Sequence, residues 1–138
     1  MITIRKQEIV KLEDVLHLYQ AVGWTNYTHQ PEMLEQALSH SLVIYLALDG
    51  DAVVGLIRLV GDGFSSVFVQ DLIVLSSYQR QGIGSSLMKQ ALKDYKDTYQ
   101  VQLVTDQTER TLGFYRSMGF EILSTYNCIG MTWMNREK

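Results

Sequence analysis

Apolar and polar positions along the chain change period several times, and each change marks an element. Residues 2–5 alternate, as an opening strand would. Leu12, Val15, Leu16, Tyr19 and Val22 then follow helical spacing, with Gly23 as a plausible stop. A polar-aromatic loop, 24–30, leads to Pro31, which suits the first position of a second helix with Leu34, Ala37 and Leu38 on its apolar face. Strand-sized apolar runs follow at 42–48, 52–60 and 65–74, separated by the turn signals Asp49-Gly50-Asp51 and Gly61-Asp62-Gly63. Ile83, Leu87, Met88, Ala91, Leu92 and Tyr95 return to helical spacing. A short strand at 101–105 precedes Asp106-Gln107-Thr108-Glu109, which reads as a capping box with Asp106 as the cap. The helix it opens runs through Arg116 and stops at Gly119, and two final strands, 120–126 and 129–134, close the chain.

The order β-α-α-β-β-β-α-β-α-β-β predicts an α/β fold with a largely antiparallel front half. A crossover helix joins 67–74 to 101–105. No linker, repeat or low-complexity tract interrupts the 138 residues, so a single domain over 1–138 is expected. Twelve basic against fifteen acidic residues argue against a general nucleic-acid binder. One cysteine, Cys128, allows no internal disulfide and points to a reducing cytoplasm. No run approaches the roughly 18–20 apolar residues of a membrane span, and no signal peptide is apparent, so no membrane partner is expected.

The candidate chemistry sits where a strand gives way to a helix, at Gln79-Arg80-Gln81-Gly82-Ile83-Gly84. A glycine-containing turn opening a helix leaves backbone N–H groups unpaired at the positive end of the dipole. Such a corner attracts the phosphates of a nucleotide-like ligand, and it lies at the carboxyl end of the preceding strand, where open α/β sheets bind. The same six residues also fit an ordinary strand-to-helix turn. A dinucleotide fingerprint would need a third glycine where Leu87 stands, and no P-loop lysine follows. His17, His29 and His40 are scattered without metal-ligand spacing, so no metal is expected.

Those six residues match the Arg/Gln-x-x-Gly-x-Gly/Ala signature, and with Asp71-Leu72-Ile73-Val74 upstream and Phe114-Tyr115-Arg116-Ser117-Met118-Gly119-Phe120 downstream the chain resembles the GNAT N-acetyltransferase superfamily. The resemblance covers nearly the whole chain and implies a mixed sheet of six to seven strands with about four helices. It implies acetyl transfer from acetyl-CoA to a primary amine, of a small molecule first and of a protein N-terminus or lysine as the alternative. A non-catalytic acyl-CoA sensor is the reading from another class.

By the same resemblance, backbone N–H groups of Gln79, Arg80, Gln81, Gly82, Ile83, Gly84 and Ser85 hold the pyrophosphate. The edge of Leu72, Ile73 and Val74 takes the pantetheine arm, Val74 N–H faces the thioester oxygen, and Phe114 packs against cofactor or core. Tyr115 is the implied general acid toward the leaving thiolate. Thr108 stands where many members carry asparagine, and a capping role suits it equally well. No general base is legible; Asp71 is a weak candidate because a strand bulge would change its facing. Trp24, Tyr27 and Gln70, with Arg58, are candidate acceptor-binding residues, although Trp24 and Tyr27 suit loop anchors as well. A homodimer through the two final strands is a further expectation of the resemblance.

Overall fold

The computed structural model describes residues 1–135, and the chain divides into two compact units, Met1–Leu103 and Val104–Lys138. The first unit is a five-stranded sheet in the order β1-β2-β3-β4-β5. Its strands are β1 (Ile2–Gln7), β2 (Val43–Asp49), β3 (Ala52–Gly61), β4 (Ser66–Val74) and β5 (Gln100–Leu103). The first four pair antiparallel, and β5 runs parallel to β4 after the crossover helix.

Both faces of the central strands are covered, which is why β2 and β3 are almost continuously apolar. On one face, α1 (Leu12–Ala21), the single turn α2 (Thr25–Thr28) and α3 (Pro31–Ser39) pack Val15, Leu18, Leu34 and Leu38 against Ile44, Leu46, Leu56 and Ile73. On the other lies α4 (Ile83–Asp94), which buries Ile83, Leu87, Met88 and Ala91. Tyr45 pins its far end by donating to Asp94 Oδ2 at 2.5 Å. Gly23, at φ +70°, ends α1 as its sequence position suggests.

Three expectations are corrected here. Residues 120–126 and 129–134 are not strands: a 3-10 turn, Leu123–Tyr126, occupies the first and the second is irregular. Alternating side chains make a strand only when a neighbouring backbone supplies the ladder, and among the described residues none does. The sheet therefore has five described strands instead of six or seven, and within the polar-aromatic segment 24–30 residues Thr25–Thr28 form a helical turn, not a loop. The second unit holds α5 (Glu109–Ser117), whose N-cap is Thr108 and not Asp106. Thr108 Oγ1 accepts from the Thr111 N–H at 3.3 Å, while Asp106 Oδ1 takes the Thr108 N–H at 3.0 Å and so organises the turn before the cap. No described helix is long and apolar enough to cross a membrane.

Candidate active site

The glycine turn forms as its position dictates. β4 ends at Val74, a 3-10 turn (Ser76–Tyr78) follows, and residues 79–82 lead into α4. Tyr78 donates to Asp49 Oδ2 at 2.6 Å and Gln79 Nε2 donates to the Val74 carbonyl at 3.1 Å, so the start of the turn is tied to the sheet. Arg80 (φ +66°) and Gly82 (φ +78°) both adopt the left-handed region, unfavourable for the first and free for the second. Gly82 is the N-cap and carries no side-chain cap. Its carbonyl takes the Ser86 N–H at 2.9 Å, leaving those of Ile83, Gly84 and Ser85 without intrahelical acceptors. A Cβ at Gly82 would meet nothing within 4 Å, so the backbone is open to approach. Gln79, Arg80 and Gln81 are exposed, Gly84 and Ser85 are half-buried, and the Ile83 side chain is core, so only its backbone is offered.

Beside this turn, β4 changes its company. β3 pairs with it along its length, but β5 reaches only from Ser66 to Val69. Among the described residues no strand pairs with the outer edge of residues 70–74, so that edge is open apart from the Val74 carbonyl, which the Gln79 amide takes. Leu75 N–H bonds to the Val54 carbonyl at 2.9 Å, which turns the amides of Leu75 and Ile73 toward β3. By alternation, the N–H and C=O of Leu72 and Val74 face the open edge. Ile73 packs its side chain into the core below α1 to α3, whereas Leu72 and Val74 are half-buried on the opposite face.

A bulge sits next to the open edge. Arg58 pairs with Asp71 and Leu59 with Val69, so Gln70 is the extra residue. The bulge places Val69 and Asp71 on opposite faces, and Asp71 turns inward to Arg58. Their ion pair, Arg58 Nε to Asp71 Oδ2 at 2.7 Å, is only 4% and 2% exposed. Asp71 also accepts from Tyr19 (2.8 Å) and Tyr27 (3.1 Å), while Arg58 donates to Tyr27 Oη and Ser41 Oγ. Burial, reinforced by Asp71, pushes the Tyr19 phenol well above its ordinary value and raises that of Tyr27. With Arg58 and two phenols bound to it, Asp71 has structural work and no free access to an incoming amine. Arg58 is likewise interior and not a wall.

The acceptor candidates separate accordingly. Tyr27 is buried and anchors α2 through its hydroxyl; Trp24, half-buried, tilts against Tyr19 and Tyr27 at 6.2 and 6.3 Å. Gln70 is exposed and reaches the Tyr27 hydroxyl at 3.4 Å. The sequence reading missed Tyr19 and the pairing of Arg58 with Asp71. Its available signal was two opposite charges inside adjacent apolar strands.

Tyr115 and Phe114 belong to the second unit, on α5. Their rings meet edge-on at 5.0 Å, and Phe120 meets Tyr115 at 5.9 Å. Burial raises the Tyr115 phenol above its ordinary value, against a hydrogen bond with Thr105 that lowers it. The group is thus a proton donor at neutral pH, held among aromatic neighbours.

The described geometry is that of an α/β domain with an uncapped helix N-terminus beside a half-open strand edge. The acetyltransferase (GNAT) domain family matches residues 40–122, and the chain belongs to it. Among solved structures, a GNAT family acetyltransferase protein from Streptococcus pneumoniae TIGR4 shares 83% identity, with TM-score 0.91 and 99% of each chain covered. A GNAT family acetyltransferase from Elizabethkingia anophelis with acetyl-CoA bound is 21% identical, with TM-score 0.65 over 97% of this chain and 89% of that one, a likeness of fold. The serotonin N-acetyltransferase 2, chloroplastic, of Oryza sativa subsp. japonica is 32% identical over 95 residues, 66% of this chain; the chain spans about half, 48%, of that relative.

Proposed function

We propose that the protein is an acetyl-CoA-dependent N-acetyltransferase acting on the primary amine of a small molecule within a ternary complex. The observation that carries this reading is the adjacency of the uncapped α4 N-terminus, with Arg80 and Gly82 left-handed, to the open edge of residues 70–74.

Each part has a physical role to fill. The backbone N–H groups of the turn and the α4 dipole bind the pyrophosphate without needing net positive charge. The outward amides of Leu72 and Val74 match the two amides of pantetheine, as an added strand would. Val74 N–H then lies where the thioester oxygen gains charge as the amine nitrogen attacks the carbonyl carbon. When the C–S bond breaks, Tyr115 gives its proton to the leaving thiolate, and the nitrogen loses one to solvent. Trp24 and Gln70 border the acceptor, with Tyr27 and the buried ion pair holding α2 in place beneath them. The likeness to a serotonin N-acetyltransferase supports arylalkylamines as the first acceptors to try.

The test is release of free CoA thiol from acetyl-CoA, measured against a panel of aryl, alkyl and polyamine acceptors and a set of peptides. Amine-dependent release with a matching acetylated product is expected from at least one small amine. Acetyl-CoA binding without release from any acceptor would reduce the protein to a sensor, and release with peptides alone would move the substrate class.

A further inference from the structure

Tyr19, Tyr27, Arg58 and Asp71 of the first unit meet beside the β4 bulge, and their hydrogens can be counted. Asp71, ion-paired with Arg58, is a carboxylate and only accepts. Its Oδ2 takes Arg58 Nε at 2.7 Å and Tyr19 Oη at 2.8 Å, and its Oδ1 takes Tyr27 Oη at 3.1 Å. A guanidinium only donates, and Arg58 Nη2 gives a hydrogen to Tyr27 Oη at 3.1 Å. A phenol oxygen has one hydrogen and two lone pairs. At Tyr27 the hydrogen is committed to Asp71 and one lone pair to Arg58. Only a donor can take what is left.

Gln70, the extra residue of the bulge, supplies it, with Nε2 at 3.4 Å from Tyr27 Oη. The oxygen and nitrogen of a side-chain amide exchange places when it is turned over, and the partners decide which way it lies. Turned over here, the Gln70 oxygen would face an oxygen with no hydrogen to give. The ion pair inside the sheet therefore sets the polarity of an exposed side chain on it. Nε2 turns inward, and Oε1 is the end of the amide that the network does not hold.

We infer that Gln70 Oε1 accepts an N–H of the acceptor amine, and that Tyr27, Arg58 and Asp71 are positioning residues acting on the acceptor through the Gln70 amide. The inference rests on the proposed acetyl transfer, which brings the acceptor beside Gln70. A primary amine has two N–H groups and one lone pair, so holding an N–H on a fixed oxygen aims the lone pair. As the nitrogen attacks it gains positive charge and its N–H becomes a stronger donor, so the bond tightens where the barrier lies. A carbonyl does this without a full charge, whereas a carboxylate in its place would favour the unreactive ammonium. The nearest carboxylate, Asp71, is held inside the sheet with its charge matched by Arg58.

Two measurements on the full chain test this, the first without turnover. In the wild type, nuclear Overhauser contacts are expected between the Gln70 side-chain amide protons and the Tyr27 ring, and their absence overturns the inference. The second is steady-state kinetics with the best amine of the panel. Gln70→Ala is expected to lower kcat/KM for the amine roughly three- to tenfold, the range of one hydrogen bond, with acetyl-CoA affinity unchanged. Tyr27→Phe keeps the ring and is expected to lose a similar factor. Combining the two is expected to lose no more than Gln70→Ala alone, since both act through one contact. A purely structural role for Tyr27 would multiply the losses instead. Multiplied losses, or a Gln70→Ala enzyme as fast as the wild type, overturn the inference and leave acetyl transfer standing. A wild type without amine-dependent turnover overturns the transfer itself, and the inference with it. If Tyr27→Phe fails to fold, the Overhauser contact and Gln70→Ala decide.

Discussion

At the residue scale, the proposed chemistry depends on one oxygen. Tyr115→Phe removes it and keeps the ring that packs on Phe114 and Phe120. If Tyr115 protonates the thiolate, turnover falls by roughly 10²–10⁴-fold, the usual range for general acid catalysis, with acetyl-CoA affinity and melting temperature nearly unchanged. Because burial raises its phenol above its ordinary value, Tyr115 stays protonated through the neutral range and imposes no falling limb on the rate between pH 6 and about 8. Turnover within a few-fold of wild type, with chemistry rate-limiting, would leave Tyr115 as packing. Gly82 shows the other kind of single-residue demand: its φ of +78° is open to glycine and resisted by nearly everything else.

At the scale of elements, the ion pair between β3 and β4 is the feature with the largest stability consequence. Asp71→Leu strips the partner from a guanidinium that is 4% exposed, and the expected loss is about 3–5 kcal/mol by urea unfolding. Arg58→Met with Asp71→Leu removes both charges and is expected to recover most of it. A single variant as stable as the wild type would mean that water reaches Arg58. These elements also mark the reach of the sequence. The periodicity of 12–22, 31–38 and 83–95 was legible because each helix buries one stripe, and Pro31 and Gly23 punctuate as their chemistry requires. The glycine turn before α4 is legible for the same local reason. The Gln70 bulge was not, since it depends on register between strands, and so the inward turn of Asp71 was hidden with it. Thr108 and Asp106 competed for one cap with equally suitable side chains, and only the geometry of the turn separates them. Residues 129–134 have a strand's pattern, but pattern names a face to bury and not the molecule that buries it.

At the scale of the molecule, the parts assigned to the ligand fall into three groups along the chain. The acceptor candidates sit at the α1–α3 connection and the β4 bulge, the cofactor candidates at the end of β4 and the start of α4, and the proposed acid on α5 in the second unit. The account's central claim is that the middle group holds the pyrophosphate on backbone N–H groups. An isosteric pair tests it most directly. Asparagine and aspartate have nearly the same shape, and both enter the left-handed region more readily than other residues. Gly82→Asn therefore controls for strain and bulk, and Gly82→Asp adds one negative charge at the helix N-terminus. Calorimetric titration with acetyl-CoA is expected to show a modest loss for Gly82→Asn and a further loss of at least tenfold for Gly82→Asp, about 1.4 kcal/mol, shrinking as salt is raised. Equal affinities for the two folded variants would contradict the account, because a phosphate at this turn has to feel that charge.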